Sequence, residues 1–163
     1  MPTSRTVSAR QRAWALAFAA LAACTATTES VSVQECATGF RWGGGDEGDD
    51  LTHPGRDCIA CHGGGQSPSY RVAGTVFPAG AAKDDCFGAP GITVRITGAD
   101  GVVTDLATNR AGNFVMKRAI ATPYTGEVLR GGAVVGKMQS TQTSGACNAC
   151  HTEGGSPGRI VAP

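Results

Sequence analysis

Between residues 70 and 139 apolar and polar positions alternate in short runs. Six of these runs predict strands: Tyr70–Phe77, Ile92–Thr97, Val102–Leu106, Asn113–Met116, Tyr124–Leu129 and Ala133–Met138. The clearest is Ile92-Thr93-Val94-Arg95-Ile96-Thr97, whose strict alternation suits a strand with one buried face. Turn signals separate the runs at Pro90-Gly91, Asp100-Gly101, Ala111-Gly112-Asn113 and Gly131-Gly132. Helical periodicity is nearly absent here, so short strands at this spacing predict a small antiparallel β-sandwich rather than βαβ units. The expected fold class is mainly β, with little helix. The sandwich would occupy 70–139, flanked by irregular Gly-rich segments at 51–69 and 140–163.

The N-terminus has a different texture. Arg5, Arg10 and Arg12 precede an apolar stretch from Ala13 to Ala23, the order of an export signal over residues 1–23. At about eleven residues the stretch is too short for a permanent membrane helix. It ends in Leu21-Ala22-Ala23-Cys24, which resembles the lipobox of bacterial lipoproteins. That resemblance implies cleavage before Cys24 and a lipid on its thiol. A soluble exported chain, or Cys24 in a disulfide, are the alternatives. Thr25 after that cysteine, in place of Asp, implies outer-membrane sorting by the same analogy. Residues 24–50 then read as a Thr/Ser-rich tether and a Gly/acidic run. Asp46, Glu47, Asp49 and Asp50 lack the ligand spacing of a calcium loop, so a solvated linker is the simpler reading. Phe40 and Trp42, just before that run, would either cover a cofactor edge or pack on the sandwich.

Without Arg5, Arg10 and Arg12 the chain keeps 11 basic against 13 acidic side chains, a net charge of −2. There is no basic patch and no aromatic ladder, which argues against nucleic acid as a partner.

The chemistry sits in the flanking segments. Cys58-Ile59-Ala60-Cys61-His62 and Cys147-Asn148-Ala149-Cys150-His151 both carry the Cys-x-x-Cys-His spacing of a c-type haem attachment site. Two thiols add across the vinyl groups of one porphyrin, and the adjacent histidine lies under the iron. The expected cofactors are therefore two c-type haems, tethered by Cys58, Cys61, Cys147 and Cys150, with His62 and His151 as proximal ligands. The repeat runs on in register: Gly65, Ser67 and Pro68 after the first histidine, Gly154, Ser156 and Pro157 after the second. A shared local conformation follows from that match. Of seven cysteines, these motifs take four and the lipobox one. The leftover Cys36 and Cys86 are a disulfide candidate in an exported chain.

On the far side of each iron, the distal candidates are Met138 and His53. Met138 ends a strand, where a chain can swing over a haem face. His53 lies five residues before Cys58, a tight span for the same haem. It could ligate the other haem or remain a surface imidazole. Met116, inside a strand, reads as core.

The intervening stretch resembles the carboxypeptidase regulatory-like or transthyretin-like β-sandwich family. The residues that carry this are Val72-Ala73-Gly74-Thr75-Val76, Gly91-Ile92-Thr93-Val94-Arg95-Ile96, Thr108-Asn109-Arg110-Ala111-Gly112-Asn113-Phe114 and Pro123-Tyr124-Thr125-Gly126-Glu127-Val128. The resemblance implies a scaffold and no activity. In its two motifs the chain resembles bacterial di-haem c-type cytochromes, though not their compact helical fold. This implies electron transfer between redox partner proteins, by a lipid-anchored protein facing the periplasm or the cell surface. The rival classes are a di-haem peroxidase-like enzyme and a non-haem adhesion or binding module with thiol or zinc sites. The first needs an acid–base constellation over an open iron, and none stands out. The second needs a thioredoxin-like context or free thiolates, which an exported chain disfavours.

Overall fold

Alternating sequence becomes paired strand in six places. The computed structural model describes residues 35–44, 48–65, 67–155 and 157–163, all within one unit spanning Val31–Pro163. The signal peptide, Cys24 and the start of the tether lie outside the described residues. The strands are β1 (Val72–Phe77), β2 (Thr93–Thr97), β3 (Val103–Ala107), β4 (Asn113–Met116), β5 (Thr125–Arg130), β6 (Ala133–Lys137) and β7 (Ile160–Val161). They form two sheets, ordered β4-β1-β7 and β3-β2-β5-β6. The fold is mainly β, a small sandwich with two short helices among the described residues. None of the described helices is long and apolar enough to cross a membrane.

The core lies between the sheets because period-2 strands turn one face inward. Val94 and Ile96 of β2 are buried, while Thr93, Arg95 and Thr97 of the same strand are only partly covered. On that outer face Arg95 pairs with Asp105 across the β2–β3 register, with both nitrogen–oxygen contacts at 2.8 Å. Val72, Val76, Phe114, Met116, Tyr124 and Val128 complete the inter-sheet cluster. Met116 is a core residue. β6 is an edge strand, and its Val134 and Val135 stay exposed despite their β propensity.

β1 departs from simple alternation, since all six of its residues are buried. Val72 and Val76 join the inter-sheet core, whereas Phe77 joins a second cluster with Cys36, Ala82 and Cys86. The outer face of β1 is thus covered by chain on both sides of it in sequence. Cys36 and Cys86 form a disulfide there, both buried.

Two features correct the sequence reading. A seventh strand, β7, arises from the Gly/Pro-rich tail that was read as irregular, and it pairs with β1 in parallel rather than antiparallel. Two residues are too few to show a period, and its pairing is decided by the free edge of β1. Ala73 N–H also donates to Gly145 O at 2.9 Å, beside a parallel bridge to Ala146. The 140–163 segment is therefore stitched to one edge of β1 at both ends, with the second motif between the stitches.

The disulfide closes a loop of 50 residues. Replacing both Cys36 and Cys86 by Ala is expected to lower stability by roughly 2–4 kcal/mol through the freer unfolded chain. Urea unfolding followed by far-UV circular dichroism measures it.

Candidate functional site

Each Cys-x-x-Cys stretch folds as one short helical turn: α1 over Cys58–His62 and α2 over Cys147–Cys150. Residues three apart share one side of such a turn, a spacing that lets both thiols of a motif reach one group. Asp57 starts α1. Its Oδ1 accepts from Ile59 N–H at 3.0 Å and from Ala60 N–H at 3.3 Å, satisfying donors that a helix start leaves open. α2 has no side-chain cap. In both motifs the first cysteine is half-buried and the second exposed, and none of the four is in a disulfide.

The two histidines are held alike. His62 Nδ1 lies 2.8 Å from Pro68 O, and His151 Nδ1 lies 2.8 Å from Gly158 O. A carbonyl can only accept, so each Nδ1 carries a proton, and in the neutral ring the lone pair is then on Nε2. The chain returns to the histidine through Gly65 at φ 84° and Gly154 at φ 69°, the same offset in both motifs. That left-handed backbone favours glycine, which gives the repeated Gly a local cause. The ring of His62 also packs on Tyr70, with centroids 4.6 Å apart.

Burial pushes the Cys58 thiol up to about 11 and the Cys147 thiol to about 12. Protonated thiols of this kind are poor nucleophiles for disulfide exchange, which requires a lowered pKa. Among the described residues no group of three His, Cys, Asp or Glu side chains could hold a metal ion. The donor set of each motif, two thiols on one side of a turn and an imidazole with free Nε2, fits a covalently tethered haem.

Asn148, between the cysteines of the second motif, is 3% exposed. Its Oδ1 accepts from Thr75 N–H at 3.1 Å, and its Nδ2 donates to Arg56 O at 2.9 Å and Thr75 Oγ1 at 3.2 Å. Thr75 Oγ1 also accepts from Gly55 N–H at 2.8 Å and donates to Asn113 Oδ1 at 2.7 Å. Asn113 Nδ2 donates in turn to Asp50 O and Thr52 O, both at 3.1 Å. α2 sits so close to β1 that a Cβ on Gly74 would lie 2.8 Å from Cys147 Cβ. Arg159 reaches the same place from the tail, its Nη1 donating to Gly55 O at 3.1 Å and its guanidinium stacked 5.0 Å over Phe77. The two motifs, 89 positions apart at their first cysteines (58 and 147), are brought together on β1.

The distal candidates differ in environment. Met138 packs half-buried against the inter-sheet core, its Sδ 3.0 Å from where a Gly126 Cβ would stand. His53 adopts φ 46°, packs on Trp42 with ring centroids 3.8 Å apart and planes tilted by 55°, and places Nδ1 3.1 Å from Asp85 Oδ1. Asp85 also binds Arg56 through Nε at 3.0 Å and Nη2 at 2.7 Å. Burial raises the pKa of Asp85, but the hydrogen bonds from Arg56 and His53 outweigh it and hold the carboxyl below its ordinary value. Trp42 therefore packs against His53, while Phe40 stays 66% exposed beside Phe87.

Sequence reading found the cysteines and histidines but missed Thr75, Asn148, Arg159 and Asp85. Asn148 occupies a variable position of its motif, and Thr75 looks like any strand threonine. No local signal marks their partners, which are distant in sequence. Compared with protein-family models, curated proteins and solved structures, the chain matches none.

Thr75→Val keeps shape but strands Gly55 N–H and Asn113 Oδ1, and leaves Asn148 Nδ2 with its bond to Arg56 O alone. It is expected to cost roughly 1–3 kcal/mol, read as a lower denaturant midpoint. For Asp85 the sign is that of a depressed carboxylate: its stabilisation is complete above the ordinary carboxylate pKa and is lost as pH falls through the lowered one. Asp85→Asn should flatten that acid limb, measured by circular dichroism across an acid titration.

Proposed function

We propose that this chain is a di-haem c-type cytochrome that transfers electrons, lipid-anchored through Cys24 outside the cytoplasm. The observation that carries this reading is the paired histidine arrangement. In both Cys-x-x-Cys-His motifs a backbone carbonyl takes Nδ1–H and leaves Nε2 free. A metal-ligating imidazole is held in this way by its outer-sphere partner, which sets both tautomer and ring orientation.

Bound haem would supply a one-electron iron couple. The chain's own contribution is tethering by Cys58, Cys61, Cys147 and Cys150, orientation of His62 and His151, and the β scaffold that carries both segments. Of the two distal candidates, His53 is the one that would offer a donor atom to a haem iron. Asp85 occupies its Nδ1 and Trp42 fixes its ring plane, whereas the Met138 sulfur is taken up in packing. Redox partner proteins are the expected partners, and the lipid places the protein at the outer membrane. The raised thiol pKa values disfavour the thiol-exchange alternative.

A pyridine haemochrome assay on protein matured with cytochrome c assembly machinery should give two covalent haems per chain, and one in the Cys147→Ala/Cys150→Ala variant. No haem in the wild type would overturn the reading. In a redox titration His53→Ala should shift one midpoint, and Met138→Ala should shift neither.

A further inference from the structure

α1 is entered through Gly55 and Arg56, and both of their carbonyls are held by side chains from the other end of the chain. Arg56 O accepts from Asn148 Nδ2 at 2.9 Å, and Gly55 O accepts from Arg159 Nη1 at 3.1 Å. Asn148 lies inside the second motif, and Arg159 follows directly on Gly158, the residue whose carbonyl holds His151. The same second segment thus grips the backbone immediately before Cys58. Neither gripping side chain is free to move: Asn148 is 3% and Arg159 5% exposed. Arg159 is fixed further by Nε donation to Ala82 O at 3.1 Å and by its ion pair with Asp84. Gly55 N–H is meanwhile taken by Thr75 Oγ1 at 2.8 Å, so this residue is held through both its N–H and its C=O. The second motif and the residues that lead into the first border one cleft of about 520 Å³, lined by Arg56, Asp57, Asn148, Glu153 and Arg159 among others.

Resting on the di-haem reading above, we infer that Asn148 and Arg159 are positioning residues that fix the two haem attachment sites at a single relative separation. They form a rigid spacer rather than two cradles that move independently. The physical reason is that the buried Gly55 carbonyl would lose its partner if either motif shifted, and Asn148 Nδ2 would lose its bond to Arg56 O. Through such a spacer, the charge on one site acts at a constant distance on the other.

The test is pulsed dipolar EPR between the two ferric centres of the fully oxidised, covalently loaded protein, with haem content counted on the same sample. The wild type is expected to give one narrow distance distribution. Asn148→Asp keeps the acceptor for Thr75 N–H but loses the donor to Arg56 O. Arg159→Lys keeps a cation beside Asp84 but loses the fork that reaches Gly55 O. Each variant is expected to retain two haems and unchanged proximal ligation spectra while its distribution broadens or shifts, a readout that simple loss of stability would not move. Two haems per chain with a broad wild-type distribution would overturn the spacer and leave the di-haem reading intact. So would variants as narrow as the wild type at the same distance. Fewer than two haems in the wild type would overturn the di-haem reading and the spacer with it. Should both variants fail to fold, the wild-type distribution alone decides.

Discussion

The hydroxyl of Thr75 is the point on which the arrangement turns. It is fully buried in the middle of β1, and it makes the three bonds its chemistry allows: one donated to Asn113, and two accepted from Gly55 and Asn148. Those partners come from three parts of the chain: the approach to α1, the turn into β4, and α2. A buried network of this kind is stabilising when saturated and costly when any member is missing. Asn113 and Asn148 are saturated in the same sense, since their amide groups find carbonyls at Asp50, Thr52 and Arg56. The seam therefore behaves as a unit, and the segments that carry the chemistry are ordered by it.

This explains why a sandwich with an ordinary inter-sheet core needs a third layer. One face of β1 meets the core through Val72 and Val76. The other meets Gly55, Asn148 and the disulfide cluster around Phe77. The N-terminal segment is pinned to that face by the Cys36–Cys86 bond, and the C-terminal segment by its pairings along the β1 edge. Small domains are short of buried area, and covering both faces of one strand offsets that shortage. The arrangement also gives Asp85, next to Cys86, its two roles. It orients His53 and anchors Arg56, so the imidazole offered as an axial ligand and the backbone entering α1 share one carboxylate.

Six strands could be read from alternation and turn residues because each half-buried strand records its own two faces. Ile92 to Thr97 shows which side is inward without reference to any neighbour. The Cys-x-x-Cys-His motifs were legible for a similar reason, since their chemistry depends on spacing within one helical turn. The in-register Gly65 and Gly154 were also readable as a repeat, though the positive φ that each adopts was not. β7 was not, because two residues carry no period. Nor was the full burial of β1, because Ala73, Thr75 and Phe77 look outward-facing until something packs on them.

The sequence by itself determined what is local: strand positions, turns, the two thiol–imidazole sets and the leftover cysteine pair. Only the tertiary structure decided which segments meet. It put both motifs on the same strand, packed Met138 half-buried against the core and bound Nδ1 of His53 to Asp85. It also made Asn148 and Arg159 hold the carbonyls before Cys58. The reason is physical. Period and spacing are properties of neighbouring residues, whereas a buried hydrogen bond between positions 56 and 148 exists only once the whole chain has excluded water around it.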